Sequence, residues 1–392
     1  MARMVFIPFP ETGHLYASFK LARQLKALGH EVTYLGISDF EAPVRLQQFQ
    51  FQPLFPDTIA KGFISQHVAS REVEPFAAIL TAAQRGRQAA DLMAELAQTV
   101  TSLRPNVLVI DLLLSMVALL SKQLKLASVF LNTQFYDPWE DARKAADYRR
   151  LLDVPELILC PQEFDFPRAR MRDNCHYVEA SIDQQRRDVA FPWERLDLHR
   201  PVIYCSLGSQ SHLITGGRKV LQTVIDAISA RQDWQLVLTT GAHLNPEDFG
   251  DVAPNIILVN RAPQLEVLQK TTLMITHGGF NTVKECIFYG VPMLVFPLIR
   301  DHPAVAARVV HHGLGLRGNI NQISVEMIHS MIDEIARTPS FQTRCRQMGE
   351  CFKQREAAAD AVRLVLSQLR PEAAGPANEA AAAFSPKRRT AN

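Results

Sequence analysis

Residues 4–37 of the chain read MVFIPFPETGHLYASFKLARQLKALGHEVTYLGI. The stretch opens with an apolar run over residues 4–9, which has the length of a buried strand. Apolar residues then recur at helical spacing as far as Gly29, a residue type that commonly ends helices. A second strand-like run covers residues 31–37. Strand, helix and strand in this order predict a β-α-β unit, whose two strands lie parallel in one sheet.

The same alternation continues along the chain. Short apolar runs at residues 107–110 and 128–131 predict further strands of the first sheet. After an aperiodic connection the pattern starts again, with five strand candidates at residues 202–205, 235–239, 256–260, 273–276 and 293–296. The chain is therefore predicted to be α/β, with two doubly wound domains built on parallel sheets.

The periodicity also sets the expected domain boundaries. We expect a first domain over residues 1–190, a linker over 191–201 and a second domain over 202–370. The second domain is expected to end in one long polar-amphipathic helix that reaches about residue 369, with the option that this last helix packs back on the first domain. A chain of 392 residues is long enough to form two cores of this size. Residues 371–392 contain few large apolar side chains and are predicted to be disordered.

The overall composition argues against several classes of protein. The formal net charge of +2 gives the chain no strong field that would attract nucleic acid. The longest apolar stretch, residues 107–120, is interrupted by Asp111 and is shorter than the roughly 20 residues that cross a bilayer. We therefore expect no transmembrane segment and a cytoplasmic location. The six cysteines form no CxxC pair, which favours buried free thiols over a metal site or disulfides.

Small residues follow two of the predicted strands. Residues 202–205 run into a Ser-Leu-Gly-Ser turn at 206–209, and residues 273–276 run into His277-Gly278-Gly279 ahead of a helical stretch. Ligands of parallel sheets bind beyond the carboxyl ends of the strands. Glycines let the backbone approach a ligand closely, and a helix N-terminus offers N–H groups and a positive dipole end to a diphosphate.

His277 has polar companions at helical spacing. An isolated histidine of this kind is most often a hydrogen-bonded core residue. Here Asn281, Thr282 and Glu285 return to the same end of the predicted helix. The pattern therefore predicts a polar cluster that binds a ligand.

Several segments of this region resemble a known family. They are RAPQLEVL at 261–268, THGGFNTVKE at 276–285, GVPM at 290–293 and Asp301-His302, with Gly13-His14 near the N-terminus. Together they resemble the donor-binding signature of the family 1 (UDP-glycosyl/glucuronosyl) glycosyltransferases, including the bacterial natural-product and macrolide-type enzymes.

The resemblance implies the GT-B fold, in which two Rossmann-like domains with parallel sheets face a cleft. It implies that the first domain holds an acceptor, that the second holds a nucleotide diphosphate sugar as co-substrate, and that the transfer inverts the anomeric carbon without a metal or other cofactor. The residues it assigns to the donor are Ser209, His277, Gly279, Asn281 and Thr282 at the diphosphate, Glu285 at the ribose, Arg261 and Gln264 at the base, and Asp301 and His302 at the sugar.

Two positions depart from the family pattern. Arg261 stands where many members have Trp, and a guanidinium plane can also stack on a base, so uridine and thymidine both stay open. His302 stands where Gln is commoner, a change that accompanies galactose in some relatives, so glucose and galactose both stay open.

His14 and Asp111 are the predicted catalytic pair. Each lies just after or at the end of a predicted strand of the first sheet, and a histidine with a near-neutral pKa suits a general base that removes a hydroxyl proton. A carboxylate beside it would fix its tautomer. The family resemblance assigns the same roles. The competing interpretation of Asp111 is a helix N-cap before residues 112–120.

An apolar acceptor pocket is expected in the first domain. Its candidate aromatic residues, each also suited to a core, are Phe63, Phe76, Phe135, Tyr136 and Trp139. His302, His311 and His312 lack a carboxylate or cysteine at ligand spacing, so no metal site is predicted.

The favoured function is transfer of a hexose from UDP-glucose, UDP-galactose or a dTDP-sugar to a hydroxyl of a small apolar or aromatic acceptor. One alternative keeps the fold but makes the protein a nucleotide-sugar epimerase, which needs no separate acceptor pocket. Another is a catalytically silent activator of a partner transferase, although the donor residues are all present. Glycoside hydrolysis is disfavoured, because no pair of carboxylates stands out.

Overall fold

The computed structural model of the protein describes residues 1–63, 89–135, 153–167, 173–208, 217–241 and 244–369. The chain forms two compact units. The first unit comprises residues 1–162, 167–186 and 354 onward, and the second unit comprises residues 163–166 and 187–353. The tail predicted over 371–392 lies outside the described residues.

A seven-stranded parallel sheet forms the centre of the first unit. Its strands are β1 (Arg3–Ile7), β2 (Glu31–Gly36), β3 (Gln50–Pro53), β4 (Val107–Asp111), β5 (Ala127–Asn132), β6 (Glu156–Ile158) and β7 (Cys175–Tyr177). They lie in the order β3-β2-β1-β4-β5-β6-β7, and each neighbouring pair is parallel. Strand β1 ends at Ile7, two residues before the predicted end, because Pro8 has no N–H to donate to the ladder.

Helices cover the first sheet on both faces. The described helices in this part of the chain are α1 (Thr12–Ala27), α2 (Glu41–Leu46), α3 (Ala89–Leu103) and α4 (Ser115–Gln123). Successive residues of one strand enter different apolar clusters, Met4 and Phe6 one cluster and Val5 and Ile7 the other. This alternation is what a parallel sheet buried on both faces requires.

The second unit is built on a six-stranded parallel sheet. Its strands are β8 (Val202–Ser206), β9 (Gln235–Thr239), β10 (Ile256–Val259), β11 (Leu273–Thr276), β12 (Met293–Val295) and β13 (Gly315–Arg317). They lie in the order β10-β9-β8-β11-β12-β13. The helices of this region are α5 (Gly217–Ser229), α6 (Gln264–Leu268), α7 (Phe280–Tyr289), α8 (His302–His311) and α9 (Val325–Arg337).

The end of the described chain returns to the first unit. The single long helix expected as far as about residue 369 is wrong: α10 (Pro339–Glu356) and α11 (Asp360–Ser367) are separate, with Ala359 in the left-handed region at φ 52°. Helix α11 buries Val365 and Leu366 in a core cluster of the first unit. The buried Glu179 carboxylate accepts the Ala361 N–H at 3.1 Å, and burial raises the pKa of Glu179.

The predicted α/β class with two doubly wound parallel sheets is confirmed. All five strands expected in the second half are present. Four strands were not predicted, β3, β6, β7 and β13, which have only three or four residues each. Among the described helices, none is long and apolar enough to cross a membrane. Four of the six free cysteines are buried, and Cys175 and Cys351 are partly exposed.

The packing of α11 generates a stability prediction. Leu366→Ala should lower the free energy of unfolding of the first unit by about 2–5 kcal/mol. Leu366 is only 5% exposed, so truncating its side chain leaves a cavity in the core. The neighbouring exposed Ser367→Ala is the matched control and should change it by no more than about 0.5 kcal/mol. Urea denaturation of the intact chain measures both. Equal effects of the two substitutions would show that α11 does not hold the first unit together.

Candidate active site

Both sheets have a switch point at which the strand order reverses. In the first sheet the chain proceeds outward from β1 on one side and from β4 on the other, and in the second sheet β8 and β11 are the corresponding pair. Ligands of open parallel sheets bind beyond the carboxyl ends of the strands at such points. The residues that follow these four strands are therefore the first candidates for a site in each unit.

His14 and Asp111 meet at the switch point of the first sheet. His14 lies in the first turn of α1, directly after β1, and Asp111 is the last residue of β4. His14 Nδ1 lies 2.8 Å from Asp111 Oδ2. The side chains are 9% and 3% exposed, so the pair is shielded from bulk water.

The alternative role of Asp111 as a helix N-cap is wrong. Helix α4 begins at Ser115, and its N-cap residue is Leu114. The second carboxylate oxygen, Oδ1, accepts the N–H of Leu113 at 3.0 Å, which holds the carboxylate in place at the strand end. Asp111 therefore belongs to the strand and faces the histidine.

Thr133 is a third member of this group that sequence analysis missed. It follows the end of β5, the strand beside β4, and is 5% exposed. Its Oγ1 lies 2.8 Å from His14 Nδ1 and 3.4 Å from Asp111 Oδ2. The rule that identified Asp111 could have found Thr133, because both lie at carboxyl ends of neighbouring strands.

The Asp111 carboxylate determines the tautomer of His14. A carboxylate only accepts hydrogen bonds, so Nδ1 must carry the proton that lies between it and Asp111. The neutral imidazole then has its basic lone pair on Nε2. Asp111 also stabilises the imidazolium that forms when Nε2 takes up a proton. The pair has the arrangement of a general base and its orienting partner.

His277 occupies the switch point of the second sheet, after β11. Its ring packs between two glycines: a Cβ on Gly208 would lie 2.5 Å from His277 Cε1, and one on Gly279 would lie 2.4 Å from His277 Nε2. Gly208 also has φ +76°, a conformation that side chains rarely tolerate. The two turns after β8 and β11 thus need glycine in order to admit the imidazole.

A second histidine, His302, lies against His277. The rings of His302 and His277 are edge to face, with 4.6 Å between centroids. Burial lowers the pKa of His277 to about 4, and burial together with nearby His277 and Arg300 lowers the pKa of His302 to about 3. Both rings are therefore neutral at pH 7. His302 Nδ1 accepts the Ile299 N–H at 3.3 Å, which places the His302 proton on Nε2.

A chain of hydrogen bonds connects the buried carboxylate of Glu285 to Gln264. The Gln264 amide donates to Glu285 and, at 3.3 Å, to Thr282 Oγ1. The hydroxyl of Tyr204 donates to Gln264 Oε1 at 3.4 Å. Burial raises the pKa of Tyr204, so this phenol keeps its proton. Sequence analysis missed Tyr204, which lies inside a strand, and placed Gln264 at the base without recognising that it contacts Glu285.

The remaining predicted residues fall into three groups. Arg261 is exposed before α6, whereas Asn281 is half-buried in the first turn of α7 and Asp301 is half-buried at the N-cap of α8. Phe63 packs into a core cluster and Phe135 is half-buried two residues after Thr133. Predicted residues outside the described part of the chain are Phe76, Tyr136, Trp139 and Ser209.

His311, the last residue of α8, and the following His312 have structural contacts. His312 Nε2 lies 3.0 Å from the Phe164 carbonyl oxygen and its ring stacks on Phe164, while His311 packs edge to face on Phe166. Within the residues that the structure describes, no group of three or more His, Cys, Asp or Glu side chains could hold a metal ion.

The buried histidines predict a loss of stability in mild acid. Unfolded His277 binds a proton near pH 6.5 and folded His277 only near pH 4, so between these values the unfolded state binds more protons. The contribution of His277 to the free energy of unfolding therefore has its highest value above pH 6.5 and falls as the pH drops below that value. By pH 5 His277 should account for a loss of about 2 kcal/mol relative to pH 7.5. Urea unfolding at both pH values should show a smaller loss for His277→Asn than for wild type, and equal losses would contradict the assignment.

Comparison with known proteins identifies the family. The protein-family model described as UDP-glucoronosyl and UDP-glucosyl transferase matches residues 92–357, which is more than half of the chain. NDP-glycosyltransferase YjiC of Bacillus subtilis is 23% identical over 379 residues, covering 89% of this chain and 92% of the relative. The uncharacterized UDP-glucosyltransferase YojK of the same organism is 20% identical and covers 90% of this chain and 94% of the relative.

Solved structures support the fold. The spinosyn rhamnosyltransferase SpnG complexed with thymidine diphosphate has a TM-score of 0.72 and 19% identity, covering 92% of this chain and 100% of that chain. The expected GT-B fold is thereby confirmed, and the chain, with its two Rossmann-like units, belongs to the UDP-glucoronosyl and UDP-glucosyl transferase family of nucleotide-sugar-dependent glycosyltransferases.

Proposed function

We propose that the protein transfers a hexose, with inversion, from a nucleotide diphosphate sugar to a hydroxyl of a small apolar or aromatic acceptor. The observation that carries this proposal is the buried contact of 2.8 Å between His14 and Asp111. A buried imidazole whose Nδ1–H faces a carboxylate is suited to removing a proton from a hydroxyl. Epimerisation of a nucleotide sugar would not require such a base for a separate acceptor, so the pair favours transfer.

The second unit binds the donor in this proposal. The diphosphate lies against the N-terminal end of α7 and the turn after β8, where backbone N–H groups and the helix dipole favour a negative charge. The neutral His277 ring, which hydrogen-bonds the Ser206 backbone, packs between the glycines of these two turns and so lies beside the diphosphate. Glu285 accepts hydrogen bonds from the ribose hydroxyls, and Asp301 accepts them from the sugar. Leaving-group charge is handled by these protein groups, without a metal.

The first unit supplies the base. The acceptor oxygen attacks the anomeric carbon and forms a new C–O bond with one of its lone pairs. The bond between that carbon and the diphosphate oxygen breaks, and its electron pair leaves with the nucleotide diphosphate. The hydroxyl proton passes to Nε2 of His14, and Asp111 stabilises the resulting imidazolium. Because the attack comes from the face opposite the leaving group, the anomeric configuration inverts.

The donor proposal covers UDP-glucose, UDP-galactose and dTDP-sugars. Arg261 is exposed beside α6 and offers a guanidinium plane to either pyrimidine. The name of YojK supports a UDP-sugar, and the thymidine diphosphate bound to SpnG supports a dTDP-sugar. His302 packs on His277, which lies beside the diphosphate in this proposal. The side chain at position 302 is therefore close enough to contact the donor sugar and to affect which hexose binds.

Fewer described residues support the acceptor site than support the donor site. Phe135 is half-buried and lies two residues after Thr133, whose hydroxyl contacts His14. An aromatic ring close in sequence to the base suits an apolar or aromatic acceptor. Phe63 packs in the core, so we leave it out of the acceptor site.

Substitution of the base tests the reaction. His14→Ala should lower kcat by about a hundredfold or more, because no group then accepts the hydroxyl proton. Asp111→Asn should cost less, since the imidazole remains. Incubation with UDP- and dTDP-sugars and a panel of phenolic, macrolide and lipid acceptors, with products identified by mass, measures both. The exposed His199→Ala is a control that should keep the wild-type rate. Wild-type turnover by His14→Ala under chemistry-limited conditions would exclude this mechanism.

Substitution of Glu285, the carboxylate proposed to bind the ribose hydroxyls, tests donor binding. Glu285→Ala should weaken the affinity for UDP or dTDP about 10- to 150-fold, because it removes a charged hydrogen-bond acceptor worth about 1.5–3 kcal/mol. Glu266→Ala, an exposed residue on α6, is the matched control and should leave the affinity unchanged. Calorimetric titration with the nucleotide gives both values. Wild-type affinity in Glu285→Ala would remove Glu285 from the donor site.

A further inference from the structure

We propose that Thr133 is a positioning residue for the base: its hydroxyl locks the His14 ring onto Asp111, and a buried Asn132–Glu156 pair holds Thr133 there. This inference rests on the proposed role of His14 as general base. It adds a third residue to the pair and explains what fixes the direction in which the imidazole points.

The three side chains form a triangle. His14 Nδ1 lies 2.8 Å from both Asp111 Oδ2 and Thr133 Oγ1, and the two oxygens are 3.4 Å apart. All three residues are buried, with exposures of 8%, 3% and 5%. Contacts at this depth are not loosened by exchange with bulk water, so each one restricts the ring.

Counting hydrogens decides how the triangle is bonded. The Asp111 carboxylate has no proton to donate, so the His14 Nδ1 proton points toward that carboxylate. The Thr133 oxygen is a second acceptor of the same proton. Nδ1 then has no lone pair for the Thr133 hydroxyl, which donates instead to Asp111 Oδ2. One hydroxyl thus accepts from the histidine and donates to the aspartate. A single bond would allow the imidazole to swing about it, and the second contact removes that freedom.

The backbone around Thr133 is held by a second buried pair. Asn132, the last residue of β5, donates from Nδ2 to Glu156 Oε1 on β6 at 2.7 Å. Asn132 Oδ1 accepts the N–H of Gln134 at 3.3 Å, so the amide spans the turn that contains Thr133. Asn132 and Glu156 are 0% and 2% exposed. A hydrogen bond to a buried carboxylate is among the stronger kinds in proteins, and this one fixes the turn against the sheet.

The consequence lies in catalysis rather than in binding. A base must keep Nε2 aimed at the acceptor hydroxyl, and small misplacements of a reacting group cost large factors in rate. Loss of the Thr133 hydroxyl should therefore lower kcat while leaving the affinity for nucleotide as it was, because the proposed donor residues lie in the other unit.

The test uses the full-length protein with two substitutions at one position. Thr133→Val keeps the shape but removes the hydroxyl and should lower kcat about tenfold, with the KM for the donor within twofold of wild type. Thr133→Ser restores the hydroxyl and should recover most of the rate. Thr33→Val, at a partly buried threonine of β2 whose hydroxyl contacts Gln50, is the matched control and should keep the wild-type kcat.

Combination with His14→Ala separates positioning from other roles. If Thr133 acts through His14, Thr133→Val should cost about tenfold in the wild-type background and almost nothing in the His14→Ala background. A tenfold loss in both backgrounds would overturn the inference and point to direct contact of Thr133 with a substrate. Failure of Thr133→Ser to recover the rate would also overturn it, because the hydroxyl would then not be the group that matters. Wild-type activity of His14→Ala would instead overturn the proposed function on its own.

Discussion

The parallel pairing of neighbouring strands at the switch point of each sheet is the constraint on which the sites depend. His14 and Asp111 are 97 residues apart in the chain, yet they meet because β1 and β4 pair in register, Ile7 opposite Ile110. The pairing of β11 with β8 aligns Thr276 with Ser206 and so brings the two glycine turns to His277. Neither group could form from local sequence alone.

The neighbours of the two buried histidines give them different chemistry. His14 shares its Nδ1 proton with a carboxylate and a hydroxyl, which favours uptake of a second proton at Nε2. His277 is packed between two glycines and against the edge of His302, and burial keeps it neutral. One residue type thus suits a proton acceptor in one unit and a neutral ring packed between two glycine turns in the other.

Periodicity predicted the long, buried elements well, because buried parallel strands and amphipathic helices have strong signals. It failed at β6 and β7, which have three residues each, and at Ala359, where a left-handed residue divides what looked like one helix. Asp111 could be placed from the sequence because it ends a predicted strand, and the same rule could have found Thr133, which follows the end of β5. The contact of Gln264 with Glu285 depends on tertiary packing between α6 and α7, which no spacing reveals.

The central claim is that the second unit binds the nucleotide through the turns after β8 and β11. Hydrogen exchange of the backbone amides with and without saturating UDP or dTDP tests it most directly. Exchange should be slower in residues 204–208 and 276–285 when nucleotide is present, since the diphosphate accepts hydrogen bonds from amides there. Unchanged exchange in both segments under conditions where calorimetry shows the nucleotide bound would contradict it.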